Sequence, residues 1–243
     1  MIKIRKLFKS FGNNQVLQGV NLEIEPGETI VIIGRSGEGK SVLIKHIVGL
    51  LIPDSGYVEV ENKKVSDLST NELYTLRKKF GFLFQGSALF DSMTVEENIS
   101  LPLIESKNGF AKKEIDRIVA EKLELVGLPG ITTLKPSELS GGMKKRVGLA
   151  RALVTNPDYI LYDEPTTGLD PIMSDSIDNL INDLSEKLKV TSVVVTHDMN
   201  SVKNVAHTVA MLNEGVIYFK GTPDELLASK DQTIINFIKR SGF

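Results

Sequence analysis

Apolar and polar residues along this chain follow two different periods. Ile2 and Ile4 alternate with polar neighbours, and Val20, Leu22 and Ile24 do the same before a Pro26-Gly27 turn. A period of two marks a strand with one buried face. Tyr57–Val60 reads the same way. Four other runs are apolar almost throughout and stop at a polar residue. They are ETIVIIG at Gly34, KFGFLFQ at Gln85, YILYDE at Asp163 and Glu164, and SVVVTH at His197. Continuous apolar strands belong to parallel sheets covered on both faces, and ligands of such sheets bind at the carboxyl ends of the strands. The four polar ends are therefore predicted to share one sheet edge.

The helical period has its own start signals. Ser69-x-x-Glu72, Thr94-x-x-Glu97 and Thr222-x-x-Glu225 fit the capping box, and Asp170-Pro171 offers an N-cap followed by proline at the first helical position. Ile115, Ile118, Val119, Leu123 and Val126 form one apolar stripe, and Ile177, Leu180, Ile181, Leu184 and Leu188 form another. Thr222 to Phe243 reads as one or two helices with apolar Leu226, Leu227, Ile234, Ile235, Phe237 and Ile238. Between Gln85 and about Asn156 only helix signals occur. The expected fold class is α/β: a core of residues 1–85 and 157–243 with an N-terminal antiparallel β subdomain, and an inserted α-helical subdomain at 86–156.

Composition narrows the field of chemistries. The 243 residues hold 29 basic and 31 acidic side chains and no cysteine. That length fits one large domain or a domain with an insertion, big enough to bury a core without staples. A disulfide framework, a zinc-thiolate site, an iron–sulfur cluster and a thiol nucleophile are excluded. A net charge of −2 argues against a nucleic-acid binder. No apolar run reaches the roughly 18–20 residues of a membrane span. The start, MIKIRKLFKSF, lacks the apolar stretch of a signal peptide and reads as a strand. The expected place is the cytoplasm, with any membrane reached through a partner.

Gly34-Arg35-Ser36-Gly37-Glu38-Gly39-Lys40-Ser41 fits G-x-x-x-x-G-K-[ST] between an apolar strand and a helix predicted over Val42–Leu51. The glycines let backbone N–H groups turn inward, the helix N-terminus adds positive partial charge, Lys40 reaches outer phosphates and Ser41 ligates Mg²⁺. Asp163 can complete the metal's shell opposite Ser41, and Glu164 is placed to orient a water toward the terminal phosphate. Leu139-Ser140-Gly141-Gly142-Met143 opens a helix pattern running through Ala152, a second anion-binding helix start.

These motifs, in this order, resemble the ATP-binding subunit of ABC transporters along nearly the whole chain. LSGGM resembles the family signature LSGGQ, with methionine in the last place. The resemblance implies a P-loop NTPase (RecA-like) core and an ATPase using ATP and Mg²⁺. It implies that Phe11 stacks on adenine and that residues Gly34 through Val42 hold the phosphates. Gln85 would touch Mg²⁺ and the attacking water, His197 the γ-phosphate, and Asp170 the contact between subunits. It also implies a homodimer in which each ATP lies between one copy's phosphate loop and Ser140, Gly141 and Gly142 of the other. The phrases FQGSALFDSMTVEENISLPL and PSELSGGMKKRVGLARAL are similar to the Mla/Mce-type lipid-transport ATPases. That branch implies phospholipid cargo, integral permease subunits, an Mce-type lipid-binding protein, a small cytoplasmic accessory protein, and a place on the inner face of the cell membrane. Leu89, Phe90 and Met93 are expected either to form a groove for a permease helix or to face the local core. Alternatives within the family are an importer ATPase for another substrate and an ATPase that regulates a membrane complex without moving cargo. An ABC ATPase acting on DNA or ribosomes fits poorly, lacking coiled-coil insertions. A small-substrate kinase would leave LSGGM and His197 unexplained.

Overall fold

The computed structural model describes residues 1–106 and 109–241; the two last positions of the predicted C-terminal helical segment and two inside the predicted helical insertion lie outside them. The chain opens with two long strands, β1 (Ile2–Phe11) and β2 (Asn14–Ile24), then β3 (Thr29–Ile33), α1 (Lys40–Ile47), β4 (Ser55–Val60) and β5 (Lys63–Lys64). α2 (Thr70–Arg77) and β6 (Phe80–Leu83) follow, then α3 (Val95–Glu105), α4 (Lys112–Leu125) and α5 (Gly141–Leu153). The rest is β7 (Tyr159–Asp163), α6 (Pro171–Leu188), β8 (Thr191–Val195), α7 (Met199–Val205), β9 (Thr208–Asn213), β10 (Val216–Gly221), α8 (Pro223–Leu227) and α9 (Gln232–Arg240).

Two sheets carry the fold. β2, β1, β4 and β5 form an antiparallel sheet in that order. The second has the order β10-β9-β3-β8-β7-β6, parallel from β9 to β6, with β10 antiparallel at one edge. The runs ending at Gly34, Gln85, Glu164 and His197 are thus β3, β6, β7 and β8, which lie side by side and point the same way. Alternation inside each central strand divides the interior. Val31, Ile33, Ile160, Tyr162, Val194, Val209 and Met211 face one core together with α3 to α9. Ile30, Ile32, Leu161, Val193, Val195, Ala210 and Leu212 face the other, with α1 and the antiparallel sheet. Burial on both faces is what these unbroken apolar runs require.

The helix starts form as their sequences dictate. Ser69, Thr94 and Thr222 make reciprocal capping boxes with Glu72, Glu97 and Glu225, and Asp170 accepts from the Met173 N–H at 3.0 Å. Residues 86–156 hold helices and no strand among those described, and α3, α4 and α5 share one core with the main sheet. Two expectations shift. α1 runs from Lys40 to Ile47 rather than Val42 to Leu51, because Gly39 turns the chain into the helix and Gly49, at φ 65°, turns it out. Leu188, placed on the α6 stripe, is 40% exposed, because the helix stops there and Lys189 takes a left-handed turn.

Candidate functional site

The sheet edge opens into a cleft of about 650 Å³. Its floor is the phosphate loop. Gly37 and Gly39 have φ of 85° and 97°, values open to glycine and strained for other residues. A side chain at Gly39 would also come within 2.6 Å of Val16. α1 begins without a side-chain cap, unlike the capped helices above, and has no acid in its first turn. Its N-terminal N–H groups are thus left for an anionic ligand. The Lys40 ammonium folds back on the loop, donating to the Gly34 carbonyl at 2.8 Å and the Arg35 carbonyl at 3.0 Å. Burial lowers its pKa, opposed by the charges of Glu164, Glu38 and Asp163.

The opposite wall comes from β7 and β8. Ser41 Oγ donates to Asp163 Oδ1 at 2.8 Å, across 122 positions of sequence. Glu164 follows at φ 51°, a conformation that costs a non-glycine residue on the order of 1–3 kcal/mol. Its backbone N–H is held by the Val195 carbonyl at 2.9 Å. Its Oε2 accepts from Thr167 Oγ1 at 3.1 Å and meets His197 Nδ1 at 2.9 Å, and its Oε1 lies 3.9 Å from Lys40 Nζ. Phe11 is exposed on the cleft wall with Lys9 above its ring, and Gln85 reaches the cleft as an exposed residue.

The donor set suits Mg²⁺ and a polyphosphate. Ser41 on the cleft and the buried Asp163 bonded to it offer hard oxygens within hydrogen-bond distance of each other; Asp163 does not itself line the cleft, and Gln85 does. The loop offers backbone donors and one ammonium. Arg35, Ser36 and Val42 line the cleft as expected from the motif. Glu38 does not; its carboxyl turns inward, one oxygen buried without a partner, and burial raises its pKa. Ser140, Gly141, Gly142 and Asp170 also lie away from the cleft of their own chain. Ser140 caps α5 through the Met143 N–H at 3.3 Å and is exposed beside Gly141. Gly142 packs so close to Met173 that a Cβ would meet its methyl at 2.0 Å. Sequence reasoning missed Val16 and the α9 end, Phe237, Arg240 and Ser241, which complete the cleft. The amphipathic pattern of α9 announced a buried face but not what it covers. His46 and His207 are structural, bonded to the Val42 carbonyl and the Thr29 N–H.

The pattern of the ABC transporter family matches residues 17–167. The intermembrane phospholipid transport system ATP-binding protein MlaF of Haemophilus influenzae is 39% identical over 239 residues, covering 98% of this chain and 90% of that protein. The probable ribonucleotide transport ATP-binding protein mkl of Mycobacterium leprae is 41% identical over 237 residues, covering 98% of this chain and 68% of that one. Among solved structures, the dimeric, post-hydrolysis ATP-binding cassette MJ0796 bound to ADP and Pi superposes with a TM-score of 0.84. It shares 36% identity, over 92% of this chain and 99% of that one.

Proposed function

Since the chain belongs to the ABC transporter family, as an ATP-hydrolysing cassette, we propose that two copies clasp two ATP molecules and drive a permease that moves phospholipid. One observation carries the dimer. The cleft holds Lys40, Ser41 and Glu164 together, with Asp163 bonded to Ser41, whereas the exposed Ser140 turn lies outside it. A second anion-binding helix start that cannot serve its own chain's cleft fits the cleft of a two-fold mate, through isologous contacts.

Within each composite site, Phe11 stacks on adenine and the 34–42 loop holds the phosphates, with Lys40 leaving its carbonyls for the outer phosphate oxygens. Ser41 and Asp163, with Gln85 beside them, would hold Mg²⁺, and the charge neutralisation it would supply falls on the phosphates. Glu164 accepts a hydrogen bond from water and aims its oxygen in line with the γ-phosphorus. The new P–O bond forms as the bond to the bridging oxygen breaks, and the water proton passes to Glu164. Thr167 and His197 fix that carboxylate, and His197 also faces the γ-phosphate. Such catalysis is positioning and charge stabilisation, with no covalent intermediate. The partner's Ser140–Gly142 turn closes over the phosphate, and Asp170 lines the seam. Loss of the γ-phosphate removes the shared charge, and the copies part as rigid bodies.

The route to a permease starts at the same glutamine. A groove of about 880 Å³ lies beyond Gln85, lined by Phe82, Phe84, Phe90, Leu101, Phe110 and Ile118. Phe84 and Phe90 are 36% and 50% exposed. An aromatic groove of this size accepts an amphipathic helix. Leu89 instead packs on the core. No helix among the described residues is long and apolar enough to cross a membrane, so crossing belongs to partner subunits at the inner face. The similarity to MlaF and the FQGSALFDSMTVEENISLPL phrase support phospholipid as cargo, with an Mce-type protein and a small accessory protein as further partners. In the Glu164→Gln chain, ATP is expected to convert the monomer into a dimer on gel filtration, with hydrolysis at least a hundredfold slower. A chain that stays monomeric, or hydrolyses at the wild-type rate, contradicts the reading.

A further inference from the structure

α5 carries a lysine that the proposed chemistry leaves unused. Lys145 stands one turn beyond the Ser140 cap, in the run Lys144-Lys145-Arg146, yet it is only 5% exposed. Among the described residues its ammonium pairs with no carboxylate. It donates to the backbone carbonyl of Gln85 and, at 3.1 Å, to that of Glu164. Both carbonyls lie just past the ends of their strands, β6 and β7, and that of Glu164 also accepts from the Thr167 N–H at 3.3 Å. Burying an ammonium is expensive, and burial does lower the Lys145 pKa, opposed by the nearby charges of Glu164 and Asp163. Six residues on along α5, Arg151 adds a second brace. Its guanidinium donates to the Ser87 carbonyl at 2.7 Å and the Ala88 carbonyl at 2.8 Å. Ser87 and Ala88 both have positive φ, 61° and 47°, as Glu164 does. Three non-glycine residues in left-handed turns are thus held from one helix.

We propose that Lys145 is a positioning residue for ATP hydrolysis, tying the Gln85 backbone to the Glu164 backbone so that both move with α5 and its Ser140 turn. A permease helix pressing on Phe84 and Phe90 displaces the strand end that carries Gln85. Through Lys145 the same displacement reaches the carboxylate that orients water. Through α5 it reaches the turn offered to the partner's nucleotide. One buried cation then makes three parts of two sites respond together. This inference rests on the roles proposed for Gln85, Glu164 and the Ser140 turn.

Steady-state hydrolysis by the full-length chain, with ATP affinity from titration of a fluorescent ATP analogue, tests it. In Lys145→Met, kcat is expected to fall on the order of a hundredfold, as for a reacting group displaced by about 1 Å. KM and analogue affinity stay within threefold, and Lys145→Arg, which keeps donors for both carbonyls, recovers at least a tenth of the wild-type kcat. Lys145→Gln, uncharged and one atom too short to span both carbonyls, replaces the methionine variant if that one fails to fold, and is likewise expected to lower kcat at least tenfold while analogue affinity stays within threefold. An unchanged kcat in Lys145→Met overturns the inference. So does a fall in kcat matched by an equal fall in affinity, or an arginine variant as slow as the methionine one. A wild-type chain without ATPase activity would instead overturn the proposed function beneath it.

Discussion

Asp178 gives the fold a pH dependence whose size follows from its surroundings. It lies on α6 against α7 and is 1% exposed. Its Oδ2 accepts from Asn204 Nδ2 at 3.3 Å, and its Oδ1 is buried without a partner. Burial pushes its pKa from 3.8 up to about 6; the neighbouring Ser201 hydroxyl and the Asn204 amide oppose the rise, and the charges of Asp198 and Asp175 add to it. The folded chain therefore holds this proton more tightly than the unfolded chain. Below pH 3.8 both states are protonated and the site costs nothing. As pH rises, the unfolded state ionises first, and stability falls until the folded carboxyl also ionises, near pH 6. At about 1.4 kcal/mol per pH unit, the loss comes to about 1–2 kcal/mol at pH 5 and about 3 kcal/mol above pH 7. Asp178→Asn keeps the shape, cannot ionise, and offers an amide to the Ser201 hydroxyl. It is expected to be more stable than wild type by about 2–3 kcal/mol at pH 8, with the gain shrinking toward zero near pH 4. Urea unfolding followed by circular dichroism at a series of pH values measures both chains. A difference that does not change with pH, or a variant less stable at pH 8, refutes the reasoning.

Gly39→Ala, which must accept φ 97° and a 2.6 Å approach to Val16, is expected to weaken binding of a fluorescent ATP analogue at least tenfold; Gly37→Ala, with φ 85° but nothing within 4 Å of the new methyl, costs only about 1 kcal/mol. Equal effects at the two positions would contradict this steric account. Asn98 is fully buried and bonds the Phe90 N–H at 2.8 Å and the Phe90, Thr94 and Met93 carbonyls. Asn98→Ala is expected to lower unfolding stability by about 2–4 kcal/mol in urea titration, and a loss under 1 kcal/mol would show that this loop is held by other means.

Much of this architecture is visible in the chain because its signals are local. Unbroken apolar runs gave β3, β6, β7 and β8 their type and direction, and three serine or threonine capping boxes gave helix starts to the residue. The phosphate loop is a spacing of glycines, and Ser41 with Asp163 follows from strand ends meeting on one edge. What stayed hidden depends on packing between distant segments. Lys145 sits in a run of three cations that reads as a solvated face; only the turn of α5 over the strand ends buries it. Arg240 and Phe237 reach the cleft because α9 folds back against the core, which no spacing encodes. Glu38 occupies a variable place in the loop motif, and its inward turn is set by the backbone around it. Phe84 and Phe90 are apolar residues in the sequence of a strand end and loop; that they stay exposed is visible only in three dimensions.

A mixed-subunit ATPase assay tests most directly whether each pocket is built from two copies. Lys40→Ala spoils the cleft of its own chain, and Ser140→Arg spoils the turn offered to the other. Each variant alone is expected to be inactive. Mixed in equal amounts, half of the dimers pair one of each and keep a single intact pocket, so activity returns to about a quarter of the wild-type rate if the two pockets act independently. A mixture as inactive as its components, or a Ser140→Arg chain with full activity by itself, would contradict the shared pocket.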